Sequence, residues 1–442
     1  MIGEICWTGI RPPCGRTGLA KAFIVAAPHS ASGKTVLTVG LIRALKNRGL
    51  RVASAKIGPD YIDPHFHEHA SARPCPNLDL WAMGADGCAA ILQDLAIDTD
   101  IVVIEGVMGL FDGPQGAAGS TADLAEALDL PVILAIDTGH LAQSIAAIAH
   151  GYTNFRPQVK IAGLILNRVK SDRHVAILTE NLGPFQILGK VRHNDSLVLP
   201  SRHLGLVQAQ EIQSLESTIE TIASTVTRET ELDLIVELGR PIANHDATSP
   251  LPPLGQHMAI ARDAAFSFVY PHLLSGWRSL GAEVWFFSPL ANEAPTKNAD
   301  AVFLPGGYPE LHAEKLAGNH HFLESLRNTK AMVYGECGGY MVLGQELVDA
   351  NNHVHQMAGL LPVSTSFARR KLHLGYRQLK PFNGPWQSPL RGHEFHYSTE
   401  MVRDRAAPLF NARDAAGNDL GAIGARVGNV MGSYAHVIAA AP

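Results

Sequence analysis

Short runs of apolar, often β-branched residues alternate along the chain with longer stretches in which apolar side chains recur every three or four positions. Phe23 to Ala27, Val52 to Ile57, Ile101 to Ile104, Val132 to Ile136 and Ile161 to Leu166 read as buried strands. Met258 to Ala261, Val284 to Phe287, Ala301 to Leu304 and Met332 to Tyr334 repeat the theme in the C-terminal half. Strands apolar on both faces and separated by helices specify parallel sheets covered on each side. Between the halves lies a stretch, 240–255, with four prolines and almost no apolar periodicity, as expected of a linker. The pattern predicts an α/β chain of two tandem domains, 22–239 and 257–442, joined by a linker over 240–256. An extension over 1–21, of low order, precedes them.

The first strand runs into Pro28-His-Ser-Ala-Ser-Gly33-Lys34-Thr35, and a helical stripe of Val36, Leu37, Leu41, Ile42 and Leu45 follows. Strand, glycine-containing loop and Lys-Thr at a helix start form the context of a nucleotide phosphate loop. Backbone N–H groups and the helix N-terminus attract phosphate anions. Ser32, Gly33, Lys34 and Thr35 are therefore the candidate ATP contacts. Lys34 would reach the terminal phosphates, and Thr35 would offer its hydroxyl to Mg²⁺. Pro28 departs from the motif by standing where its first glycine belongs.

Acids then fall at the ends of predicted strands, where open parallel sheets bind ligands. Glu105 is the best metal candidate beside Thr35. Asp112 and Asp137 occupy similar places. Asp60 and Asp63 share one turn-rich segment, where they could carry metal, position a substrate or cap the next helix. His65, His67 and His69 alternate, but alternate residues share a face only when extended, and no cysteine or second histidine pair stands beside them. They are expected to lie in a polar loop with one functional histidine at most.

In the second half, Gly335-Glu-Cys337-Gly-Gly339 between a strand and a helix is the cysteine version of a nucleophile elbow. Small neighbours permit the tight turn, and the helix N-terminus should lower the thiol pKa. Gly306 and Gly307, after another strand, could donate N–H groups to an oxyanion. His436 is the preferred base, with His393 and His396 as rivals.

The overall composition narrows the class. A length of 442 residues exceeds one ordinary core, and 46% hydrophobic content excludes wholesale disorder. A net charge of −5 gives no polyelectrolyte reason to bind nucleic acid or an anionic membrane. The five cysteines are scattered, without a C-x-x-C pair, and read as reduced thiols of a cytoplasmic protein. No apolar run is long enough to span a bilayer, and the first twenty residues, with Arg11 and Arg16, lack a signal-type apolar stretch. A cysteine amidase beside an ATP site has one coherent chemical use. Ammonia released from glutamine at Cys337 attacks a carboxylate that ATP has activated as an acyl phosphate.

Longer motifs carry a more specific signal. They are Ala55-Lys-Ile-Gly-Pro-Asp-Tyr-Ile-Asp-Pro64, Asn77-Leu-Asp-Leu-Trp81, Glu105-Gly-Val-Met-Gly-Leu-Phe-Asp-Gly113, Leu164-Ile-Leu-Asn-Arg168 and Arg202-His-Leu-Gly-Leu206. Gly335-Glu-Cys-Gly-Gly339, Gly392-His-Glu-Phe-His-Tyr397 and Gly432-Ser-Tyr-Ala-His436 complete the set. Together they closely resemble the glutamine-hydrolysing cobyrinic and hydrogenobyrinic acid a,c-diamide synthase family, in its order and over nearly the whole chain from residue 22.

The resemblance implies a P-loop-type, dethiobiotin-synthetase-like ATP domain followed by a class I glutamine amidotransferase domain. It implies Mg²⁺ and ATP, with glutamine as nitrogen donor. The acceptor would be a corrin polycarboxylate amidated at its a and c acetates in cobalamin synthesis, hydrogenobyrinic acid in preference. It makes Cys337 the nucleophile and His436 its base, and sets Asn167 where related domains meet adenine. Asp60, Asp63, Glu105 and Asp112 would surround the phosphates, metal and substrate carboxylate. A homodimer is left open.

Three departures stand out. Ile438 occupies the position where typical class I enzymes have a glutamate two residues after the histidine. The loop 189–193 lacks the proline expected near adenine, and the extension has no counterpart. Two rival readings are a nickel-sirohydrochlorin a,c-diamide synthase and a partition-type P-loop ATPase. The latter has no use for Cys337, and its second lysine is replaced by His29.

Overall fold

A computed structural model describes residues 19–194, 214–243, 249–402 and 406–442, together with parts of 197–212. Most of the N-terminal extension, with Cys6, Cys14, Arg11 and Arg16, lies outside the described residues. So do the middle of the Arg202 to Leu206 motif and residues 244–248 of the linker.

The first unit is built on β1 (Lys21–Ala26), β2 (Val52–Ile57), β3 (Asn77–Leu78), β4 (Ile101–Glu105), β5 (Val132–Asp137), β6 (Ile161–Val169) and β7 (Ile187–Arg192). They form one sheet in the order β3-β2-β4-β1-β5-β6-β7, and these neighbours are parallel. Alternate side chains of β1 leave on opposite faces. Ala22 and Ile24 join one buried cluster, while Phe23 and Val25 join another. That is why the strand is apolar at every position from Ala22 to Ala26 rather than at every second residue. The loop after β1 enters α1 (Lys34–Asn47) through Gly33, whose φ of +85° is left-handed.

The residues from Asp63 to Ser71 form a helix, α2, rather than the expected polar loop. Pro64 near its start presets the helical φ, and Asp63 in the first turn suits the positive end of the helix dipole. His67 is fully buried, whereas His65 and His69 stand on other faces.

The linker is partly woven into the fold. Arg240–Pro241 pairs antiparallel with β1, and Leu251 and Leu254 are buried in a cluster that also contains Tyr61 and Trp81. Trp386 Nε1 donates to the Pro252 carbonyl at 2.8 Å.

The second unit has a six-stranded sheet in the order Glu283–Phe287, His257–Ala261, Ala301–Leu304, Met332–Glu336, Val430–Ser433 and Ala425–Val427. The first five are parallel; the apolar runs predicted four of them, and Val430–Ser433 is added by the fold. A second, antiparallel sheet includes Leu390–His396 and His436–Ala440. No helix among the described residues is long and apolar enough to cross a membrane.

Candidate active sites

The first site gathers where β1, β2 and β4 end. Asn167 Nδ2 donates to the Ser32 carbonyl at 2.8 Å and presses so close that a Cβ on Gly33 would stand 2.4 Å from it. In this structure Asn167 therefore braces the phosphate loop. Lys34 is buried, and its ammonium donates to the carbonyls of Met108 at 2.6 Å and His29 at 3.4 Å. Thr35 Oγ1 donates to Glu105 Oε1 at 2.7 Å and lies 3.3 Å from Asp63 Oδ2.

Lys56 sits among these acids. In the parallel register of β2 and β4 it stands opposite Glu105. Its buried ammonium lies 3.4 Å from Asp63, 3.6 Å from Glu105 and 3.9 Å from Asp60. It also donates to the Gly106 carbonyl at 3.0 Å. Beyond it, His67 Nε2 faces Glu105 Oε2 at 2.7 Å, and its Nδ1 lies 3.5 Å from the Cys75 sulfur. A cysteine thus does stand beside the histidine segment, brought there by folding.

The electrostatics follow from burial. Burial would raise the Glu105 carboxyl, but Lys56, His67 and Thr35 hold it below its ordinary value. Asp63 is pushed up instead, by burial and by Asp60 and Glu105. Burial would lower His67, yet Cys75 and Glu105 hold it up to about 10. Lys56 is likewise held charged by the three acids against burial. Asp60 and Asp112 turn toward the backbone. Asp60 accepts the N–H groups of Ile62 and Asp63, and Asp112 accepts that of Gly109 at 2.9 Å. Asp137 pairs with Arg168 at 2.5 Å.

Lys56→Met is expected to leave Asp63 buried without its counter-charge and Glu105 with His67 as its remaining cation. Breaking such a cluster costs about 3–5 kcal/mol. A urea-unfolding midpoint unchanged from wild type would refute this account of Lys56.

At the second site Cys337 adopts φ +46°, ψ −104°, a strained turn between the strand Met332–Glu336 and the helix Gly338–Leu343. Its N–H donates to the Ser433 carbonyl at 2.8 Å. The small neighbours are sterically required, since a Cβ on Gly339 would stand 1.9 Å from the Leu304 carbonyl oxygen. The thiol pKa departs from the expected lowering. Burial pushes it up, and Glu310 adds to the effect, outweighing the short helix.

His436 is buried with its ring wedged over Gly306, where a Cβ would come within 2.2 Å of Cε1. Burial, aided by His393 and His396, pushes its pKa down to about 3, so the ring is neutral. Glu336 Oε2 lies 3.9 Å from its Nδ1, and burial pushes that carboxyl up to about 8. His396 is engaged elsewhere. Its Nε2 meets Glu394 at 2.8 Å, and its ring stacks on Tyr434 at 3.7 Å. His393 is buried opposite His436 in the strand ladder.

The two sites meet through one loop. Asp60 and Asp63 flank Tyr61, whose ring lies 4.6 Å from that of His436 and 4.9 Å from Phe268. The Tyr270 hydroxyl donates to the Tyr61 hydroxyl at 2.5 Å. Nearby, the Tyr376 hydroxyl donates to Asp79 at 3.0 Å, and the Arg391 guanidinium covers the Trp81 ring. Sequence reasoning did not single out Lys56, Tyr61 or Glu336, and it named His67 only as one of three alternating histidines. Lys56 and Tyr61 lie inside a quoted motif, and Glu336 adjoins the nucleophile.

A phosphate-loop unit with a cluster of acids and lysine, locked against a cysteine amidase unit, defines a two-part glutamine-using amidotransferase. Residues 23–207 match the CobQ/CobB/MinD/ParA nucleotide binding domain, and residues 257–442 match the CobB/CobQ-like glutamine amidotransferase domain. The chain belongs to the hydrogenobyrinate a,c-diamide synthase family. It is 51% identical over 428 residues to the hydrogenobyrinate a,c-diamide synthase of Brucella anthropi, covering 95% of this chain and 98% of that protein. The namesake from Rhizobium meliloti is 50% identical over 422 residues, covering 94% and 98%. That from Mesorhizobium japonicum is 44% identical over 437 residues, covering 96% and 99%. The match over 257–442 leaves no support for a partition-type ATPase.

Proposed function

We propose that this enzyme converts the a and c acetate carboxylates of hydrogenobyrinic acid to amides, with ATP and glutamine as co-substrates. The reading is carried by the 44–51% identity, across 94–96% of the chain, to proteins named for that activity. At Cys337 the thiol proton passes to His436, and sulfur attacks the glutamine side-chain carbonyl. The proton then leaves with the departing ammonia, and water hydrolyses the thioester to glutamate. The N–H groups beside Gly306 and Gly307 would hold the oxyanion.

At the first site an acceptor carboxylate oxygen attacks the terminal phosphorus of ATP, and ADP departs. Ammonia then attacks the acyl carbon, and phosphate leaves. Ser32, Gly33 and Lys34 would hold the phosphates, Asn167 supporting the loop that does so. Asp60 and Asp112 would position the acceptor carboxylate. The oxygens of Thr35, Asp63 and Glu105 are hard donors already grouped together, which fits Mg²⁺. Mg²⁺ held there would neutralise phosphate charge during transfer. Ammonia would pass between the units along the Tyr61 side of the interface, in the cytoplasm. The domain limits 22–239 and 257–442 belong to the same reading.

Mass spectrometry of the products tests the acceptor, with hydrogenobyrinic acid and nickel-sirohydrochlorin offered separately alongside ATP, Mg²⁺ and glutamine. The expected result is a diamide from the first and little from the second. The reverse pattern would move the enzyme to the other macrocycle. ATP and glutamine left untouched with both would end the ligase reading.

A further inference from the structure

A cysteine–histidine amidase needs a group to hold the imidazole and support the charge it gains with the thiol proton. The position two residues beyond the histidine offers none, because Ile438 there is fully buried in an apolar cluster. Both ring nitrogens of His436 are buried, and neither makes a hydrogen bond among the described residues. A buried carboxyl faces the ring, with Glu336 Oε2 3.9 Å from Nδ1 and the Tyr334 side chain beside the same carboxyl. Glu336 is buried and anchored, since its Oε1 accepts the N–H of Val437, the residue next to the histidine, at 3.0 Å. Glu394, another acid acting on this ring, is already taken by Arg377 and His396.

The geometry points to Glu336 as the positioning residue of the glutaminase. It would supply, from the residue before the nucleophile, what related amidases supply from two residues beyond the histidine. This rests on the glutaminase reading of Cys337 and His436. As the thiol proton moves to His436 Nε2, Glu336 Oε2 accepts the hydrogen bond from Nδ1–H, and the positive charge on the ring holds the carboxyl ionised against the burial that otherwise raises its pKa. The thiolate forms the bond to the glutamine carbonyl carbon, the carbon–nitrogen bond breaks, and the Nε2 proton leaves with ammonia. The 3.9 Å separation is of the kind that tightens when substrate binds.

Glu336→Gln provides the test, because its amide keeps an oxygen for the Val437 N–H but carries no charge. Glutamate release is measured on the full chain with ATP, Mg²⁺ and acceptor. The expected result is a kcat lower by about 100-fold or more, with KM for glutamine within about threefold. Ammonia-driven amidation should stay near wild type. A purely structural role predicts a glutamine kcat within about threefold of wild type, which would overturn the assignment.

If ammonia-driven amidation falls equally, the variant has misfolded and the decision passes to the wild-type protein. There the His436 Nδ1 proton is read by ¹⁵N-histidine NMR after Cys337 is alkylated with a glutamine-like diazoketone. A low-field, slowly exchanging proton supports Glu336, and an ordinary, fast-exchanging one removes it. Wild-type protein that releases no glutamate at all would overturn the glutaminase reading and this inference with it.

Discussion

Cys337→Ala is expected to cut glutamine-driven amidation by a factor on the order of 10⁴ or more, because on the proposed mechanism the thioester forms on the Cys337 sulfur. Ammonium chloride at alkaline pH should restore diamide formation to near the wild-type level. The reason is spatial. Cys337 follows the strand Met332–Glu336 of the second unit's six-stranded sheet, whereas Thr35, Lys56, Asp63 and Glu105 belong to the first unit. Loss of the sulfur is not expected to disturb the fold, since the Cys337 backbone bond to Ser433 remains. The assay is diamide yield with each nitrogen donor. Activity with glutamine persisting in the variant would remove Cys337 from the reaction. Failure of ammonia to rescue would mean that the two sites are not separable.

Lys34→Ala should have the complementary outcome, with amidation lost for both donors by about 10³-fold. In the proposed phosphate role its ammonium is the charge at the start of α1, and burial lowers its pKa despite Glu105, Asp63 and Asp112. The substitution also leaves the Met108 carbonyl without its 2.6 Å donor, so unfolding by urea should be followed in parallel. Amidation within about tenfold of wild type in a folded variant would exclude the phosphate role. ATP hydrolysis surviving without amidation would confine Lys34 to acyl transfer.

The legible parts of the fold were those written in contiguous residues. Strands buried on both faces appear as unbroken apolar runs, so β1, β4, β5 and the core of β6 were visible before folding. The turn at Cys337 was visible too, because its glycines are steric necessities. The helix Asp63–Ser71 was hidden, since its three histidines suggested a polar loop and only the start carries helix signals. Lys56 was hidden for another reason. Its meaning arises from the register that sets it opposite Glu105, and strands buried on both faces carry no alternation from which that register could be read. Glu336 was obscured by its neighbour, as an acid beside a nucleophile looks like part of the turn. Only the chain's return at Val437 brings it to His436.

Tyr61 sets a limit on modularity. The segment Gly58 to Asp63 belongs by chain position to the phosphate-loop unit, yet its aromatic ring is buried against His436 and Phe268 of the other. A chimera that kept 22–239 and borrowed a different amidase would thrust that ring into a surface not shaped to receive it. Conversely, the amidase alone would expose Phe268 and Tyr270 and leave its histidine unroofed. The exchangeable part is therefore the amidase together with the tyrosine that roofs it, and a graft drawn at the linker cuts through the wrong place.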